Sequence, residues 1–186
     1  MKLGILPIGR IDAKVPLHLQ QSLVKILPNL ECSIIPVAAS LLKRDFDPKR
    51  KQYRSNLILA EIQAYSTQQK ELDCVLGLVD ADIFVPELNF VFGVASFPGK
   101  EALISLWRLR REFYGGAPDE AVFMSRLVKE AVHEIGHTLG LRHCTRSSCV
   151  MHFSNSIVDT DIKRSLLCDR CHSKATTRIQ SLKALP

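Results

Sequence analysis

Apolar positions along the chain alternate between strand-like runs and helix-spaced stripes. Lys2 to Ile8 is short and almost wholly apolar, and reads as a strand. Leu19, Leu23, Ile26 and Leu27 then recur at helical spacing. Pro16 is placed to open that helix, where a missing N–H costs nothing, and Pro28 to end it. Cys32 to Val37 reads as a second strand, and the basic stretch from Lys43 to Lys51 as a solvated loop. Ser55 is expected to cap a helix through about Tyr65, with Ile58, Ile62 and Tyr65 on its apolar face. Asp73 to Val79 is apolar on both faces, as suits the middle of a sheet. Asn89–Ser96 and Glu101–Arg108 read as two strands around a Phe97-Pro98-Gly99-Lys100 turn. Asp119 can cap a long helix to about Leu139, made largely apolar, and so buried, by Val122, Leu127, Val128, Ala131, Val132, Ile135 and Leu139. Gly140 follows where a left-handed residue is wanted to end it. A last helix is expected from about Cys171 to Leu182. Strands alternating with helices over the first half predict an α/β fold with a mainly parallel sheet.

Composition narrows the class. A chain of 186 residues, 46% apolar, is sized for one domain with a core of its own. No apolar run approaches the roughly 18 residues of a membrane span. Met1 to Pro7 lacks the length and the cleavage site of a signal peptide. A monomer in the cytoplasm, without a membrane partner, is the expectation. The net charge is +6, concentrated between Lys43 and Lys51. Charge alone is a weak sign of a partner, and nucleic acid is not expected as one. Of six cysteines, Cys32 and Cys74 lie in apolar strand-like runs and read as buried thiols.

One stretch carries chemistry. His133-Glu134-Ile135-Gly136-His137-Thr138-Leu139-Gly140-Leu141-Arg142-His143 reads H-E-x-x-H-x-x-G-x-x-H. His133 and His137 share a helix face, so both can point at one metal ion. After the turn at Gly140, His143 completes a tripod that leaves a coordination position open, the layout of a catalytic zinc site. Glu134 can reach water on the metal, and so act as general base in peptide or amide hydrolysis. Surface histidines on an ordinary helix would not explain a carboxylate within so apolar a stretch.

The motif resembles that of the metzincin metallopeptidases, which add a methionine downstream, the Met-turn, beneath the metal ligands. Met151 is the candidate. Together with His143-Cys144, Cys149-Val150-Met151 and Cys168-Asp169-Arg170-Cys171, the chain closely resembles the archaemetzincin branch. That resemblance implies that His133, His137 and His143 hold the catalytic zinc, that Glu134 is the base, and that four cysteines hold a second zinc. It also implies a compact α/β domain with a twisted mixed, mainly parallel sheet of about five strands and a long active-site helix. Its antiparallel edge strand takes substrate by strand addition. Asn89–Ser96 is the candidate edge, with Gly93 allowing close approach, although an ordinary core strand explains it equally. One domain over 1–186 is expected: an α/β part to residue 141, then the Met-turn, zinc segment and C-terminal helix from 142.

The cysteine spacing agrees by itself. Cys144 and Cys149, four residues between them, and Cys168 and Cys171, two between them, form two pairs, as in tetrahedral zinc sites built from four thiolates. Two disulfides are the alternative. Arg142, Arg146, Lys163, Arg164, Arg170 and Lys174 lie nearby in sequence and could offset the negative charge of such a centre. Two Zn²⁺ per chain are therefore expected, one catalytic and one structural, with a peptide as substrate. The family resemblance adds aminopeptidase-like action on short peptides. The competing readings are a zinc-stabilised module binding nucleic acid or protein with an idle histidine site, and a redox or zinc-storage protein. Tyr114 and His152 are candidates for stabilising an oxyanion.

Overall fold

A computed structural model of the chain describes residues 1–36 and 39–183. In chain order the elements are β1 (Lys2–Ile8), α1 (Lys14–Ile26), β2 (Glu31–Ile34), β3 (Phe46–Asp47), β4 (Gln52–Arg54), α2 (Ser55–Ser66) and β5 (Cys74–Val79). There follow β6 (Ile83–Phe84), β7 (Gly93–Ala95), β8 (Glu101–Ser105), α3 (Glu120–Thr138), α4 (Ile157–Ile162) and α5 (Asp169–Lys183). Five strands form one sheet in the order β2-β1-β5-β8-β7. Its pairings are parallel except at β7, which closes the edge antiparallel to β8. The expected mainly parallel five-stranded sheet is what the chain forms.

The two-residue period of the strands sorts their side chains into two layers. Leu3 and Ile5 of β1, Leu76 and Leu78 of β5, and Ala102 and Ile104 of β8 face a core shared with α1 and α3. Leu6 and Ile8, Val75 and Val79, and Leu103 face the opposite core, closed by Ile58 and Ile62 of α2. Covering on both faces is why β5 is apolar throughout, and all six of its residues are buried. Among the described residues, no helix is long and apolar enough to cross a membrane.

Several boundaries differ from expectation. α1 begins at Lys14, so Pro16 lies inside the first turn, where its missing N–H is still not needed. β2 runs only from Glu31 to Ile34, and Val37 lies outside the described residues. Ser55 is the first residue of α2 rather than its cap; its hydroxyl donates to Phe84 O at 2.9 Å. The basic stretch is solvated as expected at Lys43, Arg44, Lys49 and Lys51, but it is not a plain loop. It enters a β3–β4 hairpin that joins β6 in a second, three-stranded sheet. Strands of two or three residues are too short to register as a period. The strand expected to reach Arg108 stops at Ser105, whose hydroxyl accepts the Trp107 N–H and starts a 3₁₀ turn. α4 was not foreseen, and α5 starts at Asp169, earlier than expected.

α3 matches its reading. Asp119 Oδ1 accepts the Val122 N–H at 3.0 Å, an N-cap. At the far end Gly140 has φ +84°, and the Leu141 N–H reaches back to Gly136 O at 2.9 Å. That is a left-handed stop, favoured at glycine, and it turns the chain back under the helix.

Candidate active site

His133, Glu134 and His137 all lie near the C-terminal end of α3. The Nε2 atoms of His133 and His137 stand 3.1 Å apart. The other nitrogen fixes each ring: His133 Nδ1 is 2.8 Å from Val150 O, and His137 Nδ1 is 2.8 Å from Leu141 O. A carbonyl only accepts, so both Nδ1 atoms carry the proton and both Nε2 atoms present lone pairs. Facing lone pairs repel unless a cation lies between them. The turn at Gly140 delivers His143, and one nitrogen from each of the three rings lies within 4.8 Å of the others. A tetrahedral zinc at about 2.05 Å from each nitrogen would set them about 3.3 Å apart. The donor set and its spacing therefore fit zinc.

Charge and burial prepare these groups. Burial, more than any other cause, lowers the proton affinity of all three imidazoles, His133 most strongly, and the positive charge of Lys163 adds to it. Neutral imidazole is the form that binds a metal. Burial likewise pushes the Glu134 carboxyl well above the usual carboxylate range, with the charge of Glu130 adding and that of Lys163 opposing. Glu134 lies against the edge strand. A Cβ at Gly93 would fall 2.7 Å from Glu134 Cγ and 2.8 Å from its Oε1. The close approach expected at Gly93 is thus an approach to Glu134. Met151 is fully buried beneath the same helix turn, where a Cβ at Gly136 would collide with its sulfur.

β7 has one open side. Phe92 O and Ser96 N are spent on β8, accepting from Ser105 N and donating to Glu101 O, each at 2.9 Å. By the alternation of an antiparallel ladder, the peptide groups of Gly93 and Ala95 face outward. Beside this edge a cavity of about 220 Å³ runs along α3 from His133 and Glu134 to Glu130, walled by Phe90, Phe92 and Phe153. On the other side of the histidines lies an open cleft lined by Ala95, Phe97, His137, Arg142 and His143.

Two charged residues not assigned to the histidine site from sequence stand next to it. Glu130 is 3% exposed and Lys163 1% exposed, with Lys163 Nζ 2.9 Å from Glu130 Oε1. Thr160 Oγ1 donates to the same oxygen at 2.9 Å. Glu130 could have been found by the reasoning applied to Glu134, as a second carboxylate on one face of an apolar helix. Lys163, noted from sequence as one of the cations that could offset the charge of the cysteine centre, is paired with Glu130 instead. Tyr114 lines neither cavity at the histidines and donates to Arg108 O at 3.0 Å. His152 Nδ1 is 2.9 Å from Cys144 O, a contact that braces the loop.

The four cysteines also converge. Their sulfurs lie within 4.8 Å of one another as free thiols, with Cys144 and Cys168 3.9 Å apart. A disulfide needs about 2.05 Å. A zinc tetrahedron with arms of about 2.3 Å has edges of about 3.8 Å. The spacing fits a zinc centre held by four thiolates and not two disulfides. Cys168 directly precedes α5, and the backbone N–H of Cys171 in its first turn is the main reason its thiol is lowered to about 7. Cys32 is half-buried and Cys74 buried, and burial raises both thiols, to about 11 and about 12. Cys74 is the buried core thiol expected, whereas Cys32, expected to be buried too, is only partly covered where it packs against the core.

The model for Peptidase family M54 matches residues 40–177. The chain belongs to peptidase family M54. The archaemetzincin of Methanocaldococcus jannaschii is 41% identical over 184 residues, 96% of this chain and 94% of that protein. That of Pyrococcus abyssi is 40% identical over 173 residues, 91% of this chain and 92% of that protein. The crystal structure of archaemetzincin from Archaeoglobus fulgidus, complexed with malonate, superposes with a TM-score of 0.80 at 37% identity, covering 94% of this chain and 99% of that one. A zinc-dependent peptidase from Methanocorpusculum labreanum gives 0.85 at 26% identity, covering 93% and 99%. As an M54 member the chain is a zinc metallopeptidase, and a peptide is its substrate class. The likeness first read between His133 and Cys171 extends over nearly the whole chain.

Proposed function

We propose that this M54 peptidase hydrolyses short peptides, in an aminopeptidase-like manner, with Glu134 as general base and His133, His137 and His143 as ligands of the catalytic zinc. The observation that carries this reading is the convergence of unprotonated imidazole nitrogens beside a buried carboxylate. A zinc ion in that tripod supplies Lewis acidity, polarising a peptide carbonyl and easing the deprotonation of water.

The chain's own residues supply the rest. Gly93 and Ala95 offer outward peptide groups to an extended substrate. Added antiparallel, the commoner pairing, the peptide runs with its N-terminal part toward Phe97 and its C-terminal part toward Leu88. Glu134 takes a proton from the attacking water and passes it to the nitrogen that leaves as the C–N bond breaks. Val150 O and Leu141 O keep the two helix imidazoles in the tautomer that the metal needs.

In this reading Cys144, Cys149, Cys168 and Cys171 hold a structural zinc, so the chain carries two Zn²⁺. It acts as a monomer, because one chain supplies every group in the site, and reduced thiols suit the cytoplasm. We expect no nucleic-acid partner; within the basic stretch Arg44 pairs with Glu61 and Arg50 donates to Leu88 O and Asn89 O, contacts that give part of its charge a place in the fold. Glu134→Ala should lower kcat/KM by about 10² to 10⁴ with zinc content unchanged. Hydrolysis retained in that variant would sink the mechanism. The aminopeptidase-like part comes from the family resemblance. It requires that N-acetylation of a short peptide slow its cleavage at least tenfold, and equal rates would remove that part alone.

A further inference from the structure

The cavity beside Glu134 is walled by aromatic rings, but its floor is polar. Glu130 lies one helical turn, about 5.4 Å, before Glu134 on the same face of α3, and lines the cavity. Lys163 and Thr160 both approach its Oε1 from behind. The ammonium cancels the charge of Glu130 without covering the side that borders the cavity. Ser154 lines the same cavity, and its hydroxyl is buried without a hydrogen-bond partner among the described residues.

We infer that Glu130 and Ser154 are specificity-determining residues, and that the cavity takes a substrate side chain ending in an uncharged hydrogen-bonding group, glutamine above others, on the C-terminal side of the bond cleaved. This rests on the hydrolytic reading given above and on the substrate direction set by β7. An aliphatic side chain of the same length would strip water from Glu130 and Ser154 and offer them nothing, which is costly for buried polar groups. A carboxylate would meet Glu130 and Glu134. A lysine or arginine would bring a second cation close to Lys163, beside a Glu130 already neutralised, and would have to draw on Glu134, the proposed base, for its counter-charge. A primary amide offers N–H donors to the carboxylate and a carbonyl to the hydroxyl. The span of one helical turn favours glutamine over the shorter asparagine and serine. The apolar stem packs between Phe90, Phe92 and Phe153.

The test uses zinc-loaded protein and two parallel peptide series that vary only the residue after the target bond: Gln, Leu, Lys and Glu. One series is cleavable. The other replaces the target amide with a non-hydrolysable ketomethylene link and is read as affinity by calorimetry. The expected result is at least a tenfold advantage for Gln over Leu, in kcat/KM and in affinity, with Lys and Glu poorer still. Ser154→Ala should reduce the Gln-to-Leu ratio severalfold. The double change Glu130→Met with Lys163→Met should invert it; if that variant fails to fold, the wild-type series and Ser154→Ala still decide. Equal affinity across the series, failure of every isostere to bind, or preference for Leu, Lys or Glu overturns the assignment. Selective binding of the Gln isostere without cleavage of any peptide supports the floor and counts against the hydrolytic reading alone.

Discussion

Between Gly93 and Glu134 there is no room for a methyl group. The carboxylate is pressed against the strand whose outer edge is open, so in the proposed mechanism base and backbone guide are positioned by one contact. Gly93→Ala would place its Cβ 2.7 Å from Glu134 Cγ and 2.8 Å from the carbonyl oxygen of Leu103. Glu134 can yield by rotating away from the reacting centre, and the contact with Leu103 O makes the strand shift as well. A displacement near 1 Å at a catalytic group can cost about 10² in rate. The expected outcome is a loss of kcat/KM of about that size with both zinc ions retained, measured by steady-state kinetics and elemental analysis on the same preparation. Wild-type kinetics in the variant would show that this contact does not position the base. At this scale the histidines, Glu134 and Gly140 were legible, because a helix and a left-handed turn fix their directions from spacing alone. The partner of Gly93 was not, since sequence shows that a glycine allows close approach but not what approaches. Lys163 was illegible for a related reason: its burial comes from a contact thirty-three residues back along the chain, on another element.

At the scale of elements, α3 was readable from cap to stop because both of its ends are set by local chemistry. Asp119 caps it, and the carboxyl is held below its ordinary value of 3.8, first by the Val122 N–H and also by Arg111. A folded-state value below the unfolded one means that the carboxylate stabilises the fold fully above the unfolded value. That contribution is lost as the pH falls through the folded value. Asp119→Ala should therefore lower the urea midpoint at pH 7, and the gap from wild type should narrow at pH 3. A gap of the same size at both values would show that the ionised side chain is not what caps the helix. The short strands and α4 had no such local signature strong enough to stand out. β3, β4 and β6 hold together through pairing with one another, and Arg50 ties that small sheet to Leu88 O and Asn89 O, just ahead of β7. α4 is opened by a capping box between Ser156 and Asp159. It positions Thr160 over Glu130 and is followed directly by Lys163, so an element too short to predict shapes the cavity floor.

Across the whole molecule, the two metal groups share one piece of backbone. Cys144 follows His143 directly, and its N–H donates to Met151 O at 2.8 Å. Between the cysteines and Met151, Val150 O receives His133 Nδ1, while the Val150 N–H donates to Leu166 O at 3.0 Å. The segment that carries Cys149 and Met151 thus touches His133 directly, touches His143 only through its neighbour Cys144, and is tied to the chain entering Cys168. Sequence adjacency made this coupling legible in outline; the carbonyl of Val150 on His133 is the part that only the fold reveals. If a zinc at the cysteines braces this segment, its loss should be felt at the histidines although no histidine is altered. Cys168→Ser should release that zinc and weaken zinc binding at the tripod by about tenfold, the lower end of what loss of a ligand's supporting contacts costs. Wild-type protein should hold two zinc ions per chain, and competition with a graded series of chelators should remove them in two steps. In the variant, one step should vanish and the other should shift to weaker chelators. A tripod step left where it was in the wild type would mean that the two centres are independent, and that the cysteines serve only the tail around α5.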